Sequence, residues 1–160
     1  MSIVIPSDQT ECYETPRKVF DPLNAEFCFD LDAAASEENA LCPVYLTEED
    51  DALAMKEWPG TRCFLNPPYG KKLKLFVRKA FEQAFLFHKL VVLYIPAHTS
   101  EAWFHTFCYE HDGIQIRFQR GRTTFGLPDW MKEYRKQQGK KPLSSCRFPL
   151  IVVIMDGRTK

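Results

Sequence analysis

Residues 62–95 constrain the fold more than any other part of the chain. An apolar run of strand length, Arg62-Cys-Phe-Leu65, ends on Asn66-Pro67-Pro68-Tyr69-Gly70. Two successive prolines forbid helix and donate nothing to a ladder, so the strand stops there on stiff backbone. Leu73, Phe76, Val77, Ala80, Phe81 and Ala84 then recur at helical spacing, opposite Lys72, Lys79, Glu82 and Gln83. Leu90-Val-Val-Leu-Tyr-Ile95 follows as a continuous apolar run, the pattern of a strand buried on both faces. Strand, amphipathic helix and buried strand in succession predict an α/β fold, a mostly parallel twisted sheet with helices on both faces.

The flanking sequence extends the alternation. Thr15-Pro16 predicts a helix with Thr15 as N-cap, ending near Pro22. Strands are expected over 27–31, 44–46, 114–118 and 148–155. Helices are expected from Thr47-Glu-Glu-Asp50 to about Trp58 and from Ser100 to about His111, with a brief helical turn capped by Ser36. Residues 121–147 lack periodicity and read as a basic loop or insertion. At 160 residues there is room for one domain. With 45% hydrophobic and 26% charged residues, disorder, coiled coil and collagen are excluded.

Lys+Arg and Asp+Glu both total 21, a net charge of zero that by itself argues against nucleic acid. The zero hides a division. Residues 1–116 hold 10 basic and 18 acidic side chains, while 117–160 hold 11 basic and 3 acidic, so −8 is followed by +8. Such asymmetry signals a partner. The longest strongly apolar stretch, 149–155, is far short of the ~20 residues of a spanning helix, and Met1-Ser2-Ile3 opens no signal peptide. The six cysteines (12, 28, 42, 63, 108, 146) form no C-x-x-C pair and read as reduced core thiols of a cytosolic protein.

In an open α/β sheet, ligands collect at the carboxyl ends of strands. Two such segments have unusual chemistry, Asp30-Leu-Asp32-Ala33-Ala34-Ala35 and Asn66-Pro67-Pro68-Tyr69. An acceptor from Asn66, the Pro67 carbonyl and the Tyr69 ring would form a socket for a planar ring bearing an amine. An ordinary turn between strand and helix satisfies the same spacing.

Asn66-Pro-Pro-Tyr69 resembles the motif of S-adenosylmethionine-dependent amino methyltransferases. The wider pattern is similar to the phage-type N-6-adenine DNA methyltransferases. It comprises Glu14-Thr-Pro16, Phe20, Phe29-Asp-Leu-Asp-Ala-Ala-Ala35, Glu38-Asn-Ala40, Tyr45-Leu-Thr47, Asp51-Ala-Leu53 and Trp58. Asn66-Pro-Pro-Tyr69, Tyr94-Ile-Pro-Ala97, Trp103-Phe104 and Gly121-Arg122 complete it, in order, from about residue 14 to 125. The resemblance implies a single-domain Rossmann-like enzyme of a bacterial or phage-infected cytoplasm, needing no metal. Asn66 and the Pro67 carbonyl, with Pro68 stiffening the turn, would hold the exocyclic amine of a flipped-out adenine, and Tyr69 would stack on the base. The methyl group would come from S-adenosylmethionine by direct displacement. Protection against host restriction is the biological role that the resemblance suggests.

For the donor site the resemblance implies Asp30 or Asp32 near the methionine end, with Ala33 and Ala34 in place of a glycine-rich turn. Asp50 or Asp51 would accept the ribose hydroxyls, and Thr15 and Pro16 would border the pocket with Asn66. Each acid also fits a solvated helix start. Lys71, Lys72, Arg120, Arg122, Lys136, Lys140 and Lys141 are expected on DNA phosphates, with Phe125 and Trp130 as stacking surfaces. Three further patterns read as structural: His105-x-x-Cys108-x-x-His111, which lacks a fourth metal ligand, loop His98, and Ser144-Ser145-Cys146 with no base. The resulting function is methyl transfer to adenine N6 in DNA. N4-cytosine methylation, glutamine methylation in proteins and a non-catalytic DNA-binding remnant are the alternatives.

Overall fold

The structure is a computed structural model that describes residues 14–126, 129–140, 146 and 148–158. Cys12, Lys141, Ser144, Ser145 and Arg147 therefore lie outside the described residues. The elements run α1 (Arg17–Phe27), β1 (Leu31–Asp32), β2 (Arg62–Leu65), α2 (Leu73–Leu86), β3 (Leu90–Pro96), α3 (Ala102–Phe107), β4 (Ile114–Phe118), α4 (Asp129–Gln137) and β5 (Leu150–Asp156). One five-stranded sheet has the order β1-β2-β3-β5-β4. Its architecture is α/β, but the sheet is mixed. β1–β2 and β2–β3 pair in parallel, whereas β5 lies antiparallel to both β3 and β4. Four of the five strands run the same way, as the mostly parallel expectation has it, and β5 alone is reversed. Its unbroken apolar sequence did not mark the reversal, because such a strand reads alike whichever way it runs.

α1 differs from expectation at both ends. Pro16, not Thr15, is its N-cap, and the helix runs through Pro22. It stops at Cys28, whose left-handed φ of 53° lets its N–H return to the Asn24 carbonyl. Phe27 is thus helical, which shortens β1 to two residues. No helix forms over 47–58. There the Asp50 carboxylate accepts the Thr47 N–H at 2.7 Å and its hydroxyl at 3.0 Å, and Asp51 takes φ 49°. These contacts close turns rather than start a helix. α3 is only six residues, and α4 appears where no periodicity was legible.

The core is aromatic around β2. Phe64 is fully buried, with Phe20 edge-on at 5.1 Å and Phe29 at 5.4 Å. α2 packs on β3 and β5 through Leu73, Phe76, Val77, Ala80 and Ala84. The buried Gln83 accepts the Trp58 N–H at 2.8 Å and donates to the Lys56 carbonyl at 2.9 Å, so it spends both ends of its amide on loop backbone. Cys42, Cys63 and Cys108 are buried free thiols whose pKa values desolvation raises to about 12.

What matters for function is how the strands point. Tyr45 bridges Asp32 in parallel on one side of β1, while β2 pairs on the other side. The strand order therefore reverses at β1, the place where an open α/β sheet forms its ligand crevice, beyond the carboxyl ends of β1 and β2. β4 runs the same way as β3, since both oppose β5, so the chain leaving Phe118 emerges on the crevice side.

Candidate active site

Asn66 leaves β2 at the crevice. Its Nδ2 donates to Thr15 Oγ1 at 2.8 Å, and its Oδ1 accepts the Tyr69 hydroxyl at 2.8 Å. The Tyr69 hydroxyl also lies 3.1 Å from the Tyr94 carbonyl, so one proton is shared between two acceptors. Gly70, with φ 141°, turns the chain toward α2. Pro67 and Tyr69 are buried and Pro68 is half-buried. The Tyr69 ring, 3% exposed, packs edge-on against Phe125 at 6.0 Å.

Phe125 was expected as a stacking surface for DNA, and the structure places it otherwise. It is 7% exposed, with Tyr69 on one side and Tyr94 at 6.1 Å on another. Gln119 and Thr123, neither of them singled out by sequence, hold this arrangement through the Tyr94 hydroxyl. No spacing rule could have found them, because the partners lie 25 and 29 residues apart. Glu14 and Gly126 exchange backbone hydrogen bonds of 3.1 and 3.2 Å. That bridge ties the strap holding Thr15 to the segment holding Phe125. A Cβ on Gly126 would sit 3.1 Å from the Glu14 Cβ, so the close approach depends on glycine.

The two candidate acids of β1 part company. Asp30 precedes the strand and faces the amino end of β2. Its carboxylate accepts the Thr61 and Arg62 N–H groups at 3.0 and 2.9 Å and the Thr61 hydroxyl at 2.7 Å. These bonds hold its pKa below the usual range despite partial desolvation. Asp30 is thus a strand clamp away from the crevice. Asp32 ends β1 inside the crevice, 3% exposed, accepting the Leu41 N–H at 3.1 Å and the Ala34 N–H at 3.4 Å. Burial pushes its pKa up to about 6 against those two bonds. A buried carboxylate in this position fits the positive end of a ligand such as S-adenosylmethionine, which has a sulfonium and an ammonium.

Ala33 is buried with its N–H on the Phe64 carbonyl at 2.9 Å, and Ala34 is half-buried beside it. Asp50 and Asp51 are exposed, a few residues past Tyr45, the residue that bridges β1. Thr15 and Pro16 are half-buried at the motif.

Lys71, Lys72, Arg120, Arg122, Lys136 and Lys140 are exposed. Arg122 reaches the Cys146 carbonyl at 3.4 Å. Arg117, part of the basic stretch, is instead clamped on Glu26 by two bonds of 2.7 and 2.6 Å. Open surface pockets lie at Phe81, Phe85 and His111 and between α3 and β4, apart from the motif. His105 and His111 donate to the Thr99 and Thr106 carbonyls. Among the described residues no group of His, Cys, Asp and Glu is placed to hold a metal. No helix among them is long and apolar enough to cross a membrane.

Fold and site together define an α/β protein whose strand-order reversal has the buried Asp32 carboxylate at the end of β1 and the Asn66 amide at the end of β2. Sequence comparison names the family. The profile described as DNA N-6-adenine-methyltransferase (Dam) matches residues 4–155. The DNA N-6-adenine-methyltransferase of Escherichia phage T1 is 39% identical over 102 residues, 62% of this chain and 41% of its own length. That of Haemophilus phage HP1 (strain HP1c1) is 38% identical over 76 residues, 48% of this chain and 43% of its own. The matches thus span about two fifths of each relative. No solved structure matches. The chain belongs to the DNA N-6-adenine-methyltransferase (Dam) family.

Proposed function

We propose that this chain transfers a methyl group from S-adenosylmethionine to the N6 amine of an adenine flipped out of DNA. The observation that carries this reading is the Asn66 carboxamide engaged at both ends directly before Pro67, at the carboxyl end of β2 beside the strand that ends on Asp32. When bound, S-adenosylmethionine supplies a methyl group already activated on sulfur, so the chain's own task is positioning. Asn66 Oδ1 and the Pro67 carbonyl accept the N–H groups of the amine and turn its lone pair toward the donor. Adenine must leave the stack first, because its amine is paired there. Tyr69 has no open face while Phe125 covers it, so stacking on the base requires Phe125 to withdraw.

In this reading the fold is Rossmann-like, with helices on both faces of the sheet. Asp32, Ala33 and Ala34 meet the methionine end, Asp50 or Asp51 the ribose, and Thr15 and Pro16 border the pocket. Residues 121–147 belong to the same single domain as its DNA-contacting part, and the protein acts in the bacterial cytoplasm. The family's adenine specificity weighs against N4-cytosine, and the charged crevice weighs against a remnant. Nucleoside mass spectrometry after incubation with DNA and labelled donor tests the proposal. N6-methyladenine is the expected product, and labelled N4-methylcytosine or no label would overturn it.

Asp32 makes binding pH-dependent. Its folded pKa of about 6 exceeds the ordinary 3.8. Stability from the neutral carboxyl is complete below about pH 4 and is lost as pH rises through about 6, a difference on the order of 3 kcal/mol. Urea titrations should show the wild-type minus Asp32→Asn stability difference falling between pH 4 and 7.5. Over the same range calorimetry should show S-adenosylmethionine binding more tightly, because the ionised carboxylate attracts its cationic end. A flat difference counts against the buried carboxyl.

The basic surface predicts a salt effect. Replacing Lys136 and Lys140 by Gln should lower the slope of log affinity against log salt by roughly two units. An unchanged slope removes both from the phosphate contacts.

A further inference from the structure

We infer that Thr15 is a positioning residue for methyl transfer, anchoring the Asn66 amide by its nitrogen so that Oδ1 is left to the substrate amine. The inference rests on the reading that Asn66 accepts that amine.

A carboxamide is nearly symmetric in shape and opposite in chemistry at its two ends. With Oδ1 toward the adenine, the amine finds an acceptor. After a 180° turn about the last torsion it meets another N–H donor and cannot be held. Thr15 Oγ1 accepts from Nδ2 and the Tyr69 hydroxyl donates to Oδ1, so both ends of the amide are engaged. The second contact occupies the lone-pair side that the amine needs. Tyr69 can yield it, because the Tyr94 carbonyl at 3.1 Å is an alternative acceptor for the same proton. Thr15 has no such conflict, since its bond is to the nitrogen and is compatible with an amine on the oxygen. It keeps hold of the amide while Tyr69 gives way.

Thr15 is itself held in place. Glu14 beside it is locked by reciprocal backbone bonds to Gly126, one residue beyond Phe125. The Asn66 amide is therefore linked, through Glu14 and Thr15, to the segment that covers Tyr69. Sequence places Thr15 among residues bordering the donor pocket. The geometry assigns its hydroxyl to the amide instead, and the two roles separate experimentally.

Steady-state methylation of duplex DNA with labelled donor decides between them, beside donor affinity by calorimetry and melting temperature. Thr15→Val keeps the shape and removes the hydroxyl. Its kcat is expected to fall roughly tenfold, the effect of one lost hydrogen bond, with donor Kd and melting temperature unchanged within about twofold and a few degrees. Thr15→Ser should restore kcat. The ¹⁵N side-chain resonance of Asn66, assigned by its loss in Asn66→Ala, should shift in Thr15→Val and return in Thr15→Ser, an activity-independent readout. If Thr15→Val does not fold, Thr15→Ala with Thr15→Ser gives the same comparison. Unchanged kcat in Thr15→Val overturns the inference, as does a loss that appears wholly in donor Kd, which makes Thr15 a cofactor contact. Wild-type protein that binds donor and leaves adenine unmethylated overturns the proposed function itself, a result distinct from either.

Discussion

Asn66→Ala is expected to reduce methyl transfer by about 10²–10³-fold while leaving S-adenosylmethionine affinity within about twofold. The magnitude is that of removing a preorganised hydrogen-bonding group from a catalytic site. In the proposed reaction Asn66 Oδ1 holds the amine more strongly as it moves toward tetrahedral geometry, so its loss should fall on kcat rather than on donor binding. The substitution is local. Thr15 Oγ1 and the Tyr69 hydroxyl lose a partner, but the first is half-exposed and the second retains the Tyr94 carbonyl. Single-turnover assays with labelled donor separate the chemical step from DNA binding. Retained turnover would remove Asn66 from the mechanism, and a matching loss of donor affinity would make it a cofactor residue instead.

How much of this was legible in the sequence depends on the range of the interactions. β2 and β4 match their expected bounds because each is a short run whose apolar pattern and terminating residues are local. α2 and β3 follow from periodicity and continuous apolarity in the same way. The direction of β5 was not legible, since burial on both faces erases the alternation that would mark it. Over 47–58 the acids that suggested a helix start instead fold back on Thr47 and Ala54, a choice made by side chains of equal helix and turn preference. At the site, Asn66 to Tyr69 stood out because two prolines after a strand are rare chemistry. The reasons for its geometry were not legible. Thr15 is 51 residues away and the Tyr94 carbonyl 25 from Tyr69, and these distances close only when the sheet does. Phe125 shows the limit most plainly. An aromatic in a basic stretch reads as a nucleic-acid contact, yet the parallel sense of β3 and β4 delivers it onto Tyr69 and buries it.

The largest stability effect is expected behind the crevice, at Phe64. Its ring is fully buried between Phe20 and Phe29, and the three sit on separate parts of the chain, β2, α1 and the residue pair before β1. Phe64→Ala removes the shared member of both contacts and leaves a void that α1 cannot fill, because Pro22 and the left-handed turn at Cys28 stiffen its path. The cost expected for such a truncation is about 3–5 kcal/mol, a large share of the ~5–15 kcal/mol that holds a domain folded. Melting temperature should fall on the order of 10 °C. Phe118→Ala is the control: that ring is 75% exposed at the sheet edge, and its loss should change stability by less than about 0.5 kcal/mol. The two phenylalanines have equal hydrophobicity and opposite placement, so equal effects would mean that α1 does not seal this face of β2. The effect should also reach the proposed donor site. The Phe64 carbonyl holds the Ala33 N–H at 2.9 Å, next to Asp32. Slackening β2 frees the turn that orients the buried carboxylate, so folded Phe64→Ala protein should bind S-adenosylmethionine more weakly than wild type. An intact donor affinity in that variant would uncouple the aromatic core from the crevice.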